Sequence, residues 1–304
     1  MFSLHSEFVI RHWEFVILKM RFLKNAWIGL RAYRKALYFI IEHKLYWYVA
    51  IPAILMLGIY KVGYYILHKQ PTFHARNMNE ISWLLIQLLV EISISLALMR
   101  FAKYVVVVIL SPLLSHLSQK VEYKLTGNTY RFHMPQLIHD IKRGLRIATR
   151  NIMWEYAFYI IVYVVARIGG SEAESMPLVL IVFVIGFYYY GFAFLDYVNE
   201  RLKLSVDQSI QFTRKNRGMA LAIGSIYSIL IWVPVELDAL FDWSTFGDNP
   251  FEFLYRFVVN LILWMCASFA PIWSIVAATL AMNDLVDLKK TREIVISDFS
   301  TTNS

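Results

Sequence analysis

The sequence predicts an all-α integral membrane protein, and three observations carry that prediction. Hydrophobic residues make up 58% of the 304 and charged ones only 17%, with a mean hydropathy of +0.50. A soluble domain of this length carries about a quarter charged residues. The run ISWLLIQLLVEISISLALMRFAKYVVVVILSPLL, from Ile81 to Leu114, is longer than a soluble core helix needs. Up to Leu110 it reaches roughly 45 Å as a helix, against a hydrocarbon core of about 30 Å. Finally, lysine and arginine fall on alternate connections. The N-terminus, 111–150, 199–217 and the C-terminus are basic, whereas 68–80, 169–176 and 236–256 are poor in these residues.

Positive loops stay on the cytoplasmic side, so this alternation puts both termini in the cytoplasm with an even number of crossings. Six full spans satisfy it. Two spans plus two hairpins that dip in and return to the same face satisfy it equally well. The formal charge of +8 and the pI of about 9.4 then reflect basic loops facing anionic lipid, since no nucleic-acid-binding motif accompanies them. The single cysteine, Cys266, makes neither an internal disulfide nor a thiolate metal site and reads as a small buried hydrophobe.

In chain order, residues 1–24 stand apart as an N-terminal extension, with Met20 a candidate alternative start. Their apolar patches are broken by Arg11, Glu14, Lys19 and Arg21, and no small-residue cleavage site follows, so they do not read as a signal peptide. Asn25–Lys44 is an amphipathic basic helix, with Trp27, Leu30, Tyr33/Arg34, Leu37 and Ile41 at helical spacing, expected to lie on the cytoplasmic surface. Leu45–Leu67 is the first spanning candidate, with Pro52 near its start and Lys61 near its far end. Lys61 snorkels outward or reaches toward Glu91, which sits near mid-bilayer on the long run. Arg100 and Lys103 mark the membrane edge, and Ser111-Pro112 stops or bends the helix that precedes it.

Leu113, Leu117, Val121 and Leu125 mark one face of the next helix, closed by Thr126-Gly127-Asn128. Pro135 opens another, with Leu137, Ile141 and Leu145 inward and Lys142, Arg143 and Arg146 outward. Asn151–Ile168 and Pro177–Val198 form one apolar pair, Gly218–Val235 and Phe257–Met282 a second. Between the pairs lies a helix with a Ser205/Gln208 capping box, ending in the basic cluster Arg214, Lys215 and Arg217. Asp196 is expected to cap a helix or pair with Arg201. Residues 25–290 read as one membrane domain and 291–304 as a polar, disordered tail.

Four blocks in this order are similar to one family: IPAIL (Ile51–Leu55), SPLLSHLSQKVEYKLTG (Ser111–Gly127), FAFLDYVNERLKLS (Phe192–Ser205), and Pro234 with APIWSIVAATL (Ala270–Leu280). The sequence resembles the CysZ-type sulfate permeases, which share their domain with the etoposide-induced membrane proteins. The resemblance implies two long tilted transmembrane helices plus two helical hairpins, partly or fully inserted, with amphipathic helices on the cytoplasmic face. It also implies a homo-oligomer in the inner (cytoplasmic) membrane, and sulfate bound at a Gly-Leu-Arg turn just before the first long helix. Counted back from Pro52, that turn falls here on Lys44, Leu45, Tyr46 and Trp47, so it is not matched. The literal triplets Gly29–Arg31 and Gly144–Arg146 lie on basic amphipathic helices at other spacings and read as coincidence.

Two functions follow from different classes. One is a permease or channel for a small inorganic anion, sulfate among the candidates, with Lys44, Arg31, Arg34 and Lys35 as its anion-binding residues. The unmatched turn counts against sulfate in particular, and the bland reading of the four is a solvated basic surface. The other is a non-transporting scaffold, assembly or bilayer-shaping protein. Glu91 is either a functional ionisable group, in a proton relay or ion path, or a neutral or paired carboxyl. An enzyme is not expected: there is no nucleophile elbow, no HExxH and no phosphate-binding glycine loop, and the eight histidines lack metal-ligand spacing. No catalytic residue, metal or cofactor is assigned, and the expected partners are the lipid bilayer and a small anion.

Overall fold

The computed structural model describes residues 2–68, 107–129, 134–168, 176–231, 235, 238–241, 246, 247 and 249–290. Among these residues every regular element is helical. They are α1 (Phe2–Glu42), a 3-10 segment (Leu45–Val49), α2 (Ala50–His68), α3 (Ser111–Thr126), α4 (Met134–Ile168), α5 (Met176–Arg201), α6 (Val206–Lys215), α7 (Arg217–Ile231), α8 (Asp238–Phe241) and α9 (Pro250–Val286). Most of the long apolar run, with Glu91, Arg100 and Lys103, lies outside the described residues. Its end is a helical stretch over 107–109 that stops at Leu110, and Pro112 stands in the first turn of α3.

Proline sets where several helices begin. Pro52, Pro112, Pro135, Pro177 and Pro250 all occupy first turns, where the missing N–H has no intrahelical partner to lose. Local capping does the rest. Ser205 and Gln208 form the full reciprocal capping box of α6, and Gly127 closes α3 with φ +78. Asn249 caps α9 by accepting from the Glu252 backbone N–H at 3.3 Å, and its side-chain amide donates to the Glu252 carboxylate at 3.2 Å. Pro271 is the exception, standing inside α9.

The chain divides into two compact units. The first comprises Met1–Trp47, Ser111–Ile229 and Ala270–Ser304. Its centre is the C-terminal half of α9, where Ala270, Ile272, Ile275, Val276, Ala277, Ala278, Ala281 and Met282 are all fully buried. A helix apolar all round is stable only when covered all round. Leu114, Leu117 and Val121 of α3, Phe194, Leu195 and Val198 of α5, and Met219 and Ile223 of α7 join it in the core. Tyr227 packs against Tyr190 and Phe194 at ring-centroid distances of 5.6 and 4.8 Å.

Small residues let these helices meet backbone to backbone. A Cβ on Gly191 of α5 would lie 1.8 Å from the Ala220 carbonyl oxygen, and one on Gly224 of α7 would lie 1.7 Å from that of Phe187. Gly218 and Gly29 serve the α1–α7 contact: their added Cβ atoms would fall 2.2 Å from the Phe22 oxygen and 2.8 Å from the Ala222 Cβ. Such close approach is the usual means of helix association where lipid removes the hydrophobic drive. Gly29, half of a literal Gly-Leu-Arg match, is therefore a packing residue.

α1 has two distinct faces. Asn25, Ala32, Tyr33, Ala36 and Ile40 are buried against the unit, while Met20, Leu23, Trp27, Leu30, Leu37, Tyr38 and Ile41 are exposed. Tyr33 thus leaves the apolar stripe that the spacing assigns it to. Its hydroxyl donates to the Ile223 carbonyl at 2.7 Å and accepts from Ser274 at 2.8 Å, and the Trp273 indole donates to its backbone oxygen. Burial pushes that hydroxyl well above the ordinary tyrosine range.

The second unit comprises Tyr48–Leu110 and Leu230–Phe269. Within it the Trp264 indole donates to the Ala53 carbonyl at 3.2 Å, and Met56 of α2 and Phe253 of α9 are both buried. Phe253 itself contacts Phe246 edge-on at 5.5 Å and stacks on Phe257 at 6.0 Å. α9 is by itself long and apolar enough to cross a membrane. Met20–Glu42 and Leu45–Gly58 reach that threshold only as a pair broken at His43-Lys44.

Three expectations are corrected. The helix opened by Pro135 and the apolar segment from Asn151 are one continuous helix, α4, of 35 residues. Leu145 points outward at 54% exposure and Arg143 inward, because the guanidinium has a buried carboxylate to meet. That carboxylate is Asp196, which pairs with Arg143 and not with Arg201.

Candidate functional site

Polar chemistry in the first unit concentrates in two places: the turn after α1, and the ends of α3 to α7. At the first, α1 closes with the His43 N–H donating to Phe39 and the Lys44 N–H to Ile41, and Lys44 adopts φ 54. That left-handed conformation is the one glycine adopts without strain. Lys44 is exposed, Leu45 is buried, and Tyr46 and Trp47 are exposed with their rings 5.5 Å apart. Arg31 and Arg34 are exposed on α1, while Lys35 makes an ion pair with Asp284 of α9 that is about one-third exposed. Three of the four expected anion-binding residues are thus presented outward, and the fourth has a carboxylate partner. Lys61 is exposed on α2, and Glu91 lies outside the described residues.

The second place was not assigned from sequence. Arg143 of α4 donates Nε and Nη2 to both oxygens of Asp196, at 2.9 and 2.8 Å, and Nη1 to the Leu204 carbonyl. Ser209 of α6 donates to the same carboxylate, and Asn199 donates to Ser209. Arg201 of α5 donates to Glu122 of α3 at 2.8 Å, and Asn128 donates to the other Glu122 oxygen. Side-chain exposure is 9% and 6% for the first pair and 3% and 2% for the second. Buried charges survive only when paired and hydrogen-bonded, so these bonds fix α3, α4, α5 and α6 to one another. One signal was available for Glu122: it shares a face with Leu114 and Ser118 at a spacing of four. Ser118 is itself bonded to Thr279 of the central helix.

α4 shows where the surroundings change. Lys142, Arg146 and Thr149 are among the exposed side chains of its first half. Beyond Arg150 every exposed side chain described on it is apolar or aromatic: Met153, Trp154, Phe158, Tyr159, Ile160, Ile161, Val164 and Val165. A stripe of that size is an interaction surface, and on a helix that has just shed its charges it suits lipid. Among the described residues no cluster of His, Cys, Asp and Glu could hold a metal ion.

Among the described residues every regular element is helical, and one helix, α9, is apolar and long enough to cross a bilayer, which together with the family match that follows points to membrane association. Residues 32–237 match the family described as Sulfate transporter CysZ/Etoposide-induced protein 2.4, and the chain belongs to that family. No curated protein matches it.

Proposed function

We propose that the protein is a multi-pass membrane permease or channel for a small inorganic anion, working as a homo-oligomer in the inner membrane with both termini cytoplasmic. The family, whose description names a sulfate transporter, supports this reading. The observation that carries it to particular residues is Lys44. It occupies a left-handed turn ahead of the first long helix, with the exposed Arg31 and Arg34 preceding it on α1. An ammonium there is a point charge for an anion shedding its water, in place of a bidentate guanidinium.

The test is uptake of labelled sulfate into proteoliposomes by the full chain and by Lys44→Ala. Uptake that falls severalfold in the variant is expected. Intact, oligomeric protein that moves no sulfate removes the sulfate version, and other small anions are then tried in the same vesicles. A second reading, a non-transporting bilayer-shaping protein, is favoured by Tyr46 and Trp47. They stand exposed, at 44% and 73%, where the family's turn carries arginine, and aromatic rings there anchor a helix end in the interface.

A further inference from the structure

Residues 20–27 of α1 and the junction of α6 with α7 take no part in the reading above, and the fold brings them together. The Asn25 amide donates to the side-chain oxygen of Asn216, the residue between α6 and α7, at 2.9 Å. A Cβ on Gly218 would lie 2.2 Å from the Phe22 carbonyl oxygen and 3.0 Å from the Ala26 nitrogen. The backbones of α1 and α7 therefore touch at this level, and the residues beside each contact are cationic. Arg21 precedes Phe22 and Lys24 precedes Asn25, while Arg214, Lys215 and Arg217 border Asn216. All five are exposed, and among the described residues none of them makes a hydrogen bond or an ion pair. Asp207, the acid of α6, stands in its first turn, at the end away from Arg214 and Lys215.

Like charges gathered by packing repel one another, and an anionic partner offsets that cost. Their surroundings identify its class. Met20, Leu23 and Trp27, on the same turns of α1, are exposed. An acidic protein segment would answer the cations and leave these three in water. An anionic bilayer surface answers both, with phosphates at the cations and acyl chains against the apolar side chains. The two parts are complementary: α6 brings charge without any exposed large apolar side chain, and α1 brings those. We propose that residues 20–27 of α1 and the α6–α7 junction form one docking surface for the anionic phospholipids of the bilayer, with Arg21, Lys24, Arg214, Lys215 and Arg217 at the phosphates. The surface involves neither Lys44 nor Arg31 and Arg34, and it stands or falls separately from anion transport.

The experiment places a nitroxide at Leu23→Cys in the full chain, with Cys266→Ala removing the native thiol. The protein is reconstituted in vesicles of phosphatidylcholine alone or mixed with phosphatidylglycerol. Collision with oxygen, which concentrates among acyl chains, and with a water-soluble nickel chelate then reports depth. In the mixed vesicles the label is expected about 5–10 Å inside the headgroup boundary. Its water-exposed share should rise roughly fivefold for each charge removed in Arg21→Gln/Lys24→Gln or in Arg214→Gln/Lys215→Gln/Arg217→Gln. High salt should act in the same direction, and Lys142→Gln/Arg146→Gln, which removes two exposed charges from α4, should change nothing. A label in water in both kinds of vesicle overturns the proposal, and so does equal insertion in every variant and lipid. Spin–spin broadening between labels assigns the surface to a second copy of the chain and overturns it too. All five cations are exposed, and the two charge variants lie on different helices, so either one keeps the test open should the other misfold.

Discussion

The two halves of α9 have similar hydropathy and different fates. Up to Met265 the helix shows Phe251, Leu254, Tyr255, Val258, Ile262 and Met265 to its surroundings; from Ala270 to Met282 everything except Trp273 is buried. The distinguishing property is side-chain size. The outward half is built from large aromatics and branched aliphatics, and the buried half from Ala270, Ser274, Ala277, Ala278, Thr279 and Ala281 among larger residues. In a bilayer both lipid and protein core are apolar, so hydropathy cannot tell a helix which to face. Small residues can, because only they let neighbouring backbones come close enough for dispersion and hydrogen bonds to favour protein over lipid.

Breaking that contrast should destabilise the fold strongly. Ala277→Leu forces a branched side chain into a position with no exposed surface, and overpacking of this kind costs about 1–3 kcal/mol or more. Gly224→Ala should be at least as severe, since the atom it meets is the Phe187 carbonyl oxygen and not the movable end of a side chain. Ile262→Ala, on the outward half, is expected to cost under about 1 kcal/mol because lipid closes over the missing atoms. Thermal unfolding in detergent, followed by size-exclusion chromatography, separates the outcomes. Equal losses at 262 and 277 would mean that size does not sort the two halves.

A second contrast, between ion pairs, is at least as large. Arg143→Ala strands Asp196 with one side-chain donor, Ser209, at 6% exposure, for an expected cost of about 3–5 kcal/mol. Lys35→Ala, in a pair about one-third exposed, should cost under about 1 kcal/mol. Unfolding midpoints of the two variants, with Asp196→Asn as a check that the stranded charge is the cause, decide it. An Arg143→Ala protein no less stable than Lys35→Ala would show the buried pair to be dispensable.

What was legible in the sequence divides along the same line. Helix starts at Pro112, Pro135 and Pro177, the left-handed Gly127 and the Ser205/Gln208 box all follow from a few neighbouring residues, and they stand where the spacing puts them. The buried networks do not: Arg143 and Asp196 are 53 residues apart, Arg201 and Glu122 79. A lone charge at the edge of an amphipathic pattern reads as solvated until its partner is known. The α1 helix shows the subtler failure. Its outward stripe of Trp27, Leu30 and Ile41 is the more hydrophobic face, and its packed face is carried by Asn25, Gly29, Ala32 and Ala36. Of the expected anion-binding residues, the spacing from Pro52 located the turn, but Lys44's strained backbone and Lys35's carboxylate partner needed coordinates.

The smallest effect is expected at Lys44, where stability and function pull in opposite directions. A lysine at φ 54 holds a conformation that glycine adopts freely, so Lys44→Gly should stabilise the fold by about 0.5–1 kcal/mol. If the ammonium serves the anion, the same substitution lowers uptake, and Lys44→Arg, which keeps both strain and charge, preserves it. Lys44→Asn, which tolerates the left-handed region without charge, should behave as the glycine does. A variant that gains stability and keeps full uptake would reduce Lys44 to a helix terminator and leave the exposed Arg31 and Arg34 as the remaining basic candidates. A variant that loses both would mean that the side chain holds the turn in place, since a purely electrostatic role predicts no loss of stability on removing a strained residue from an exposed position.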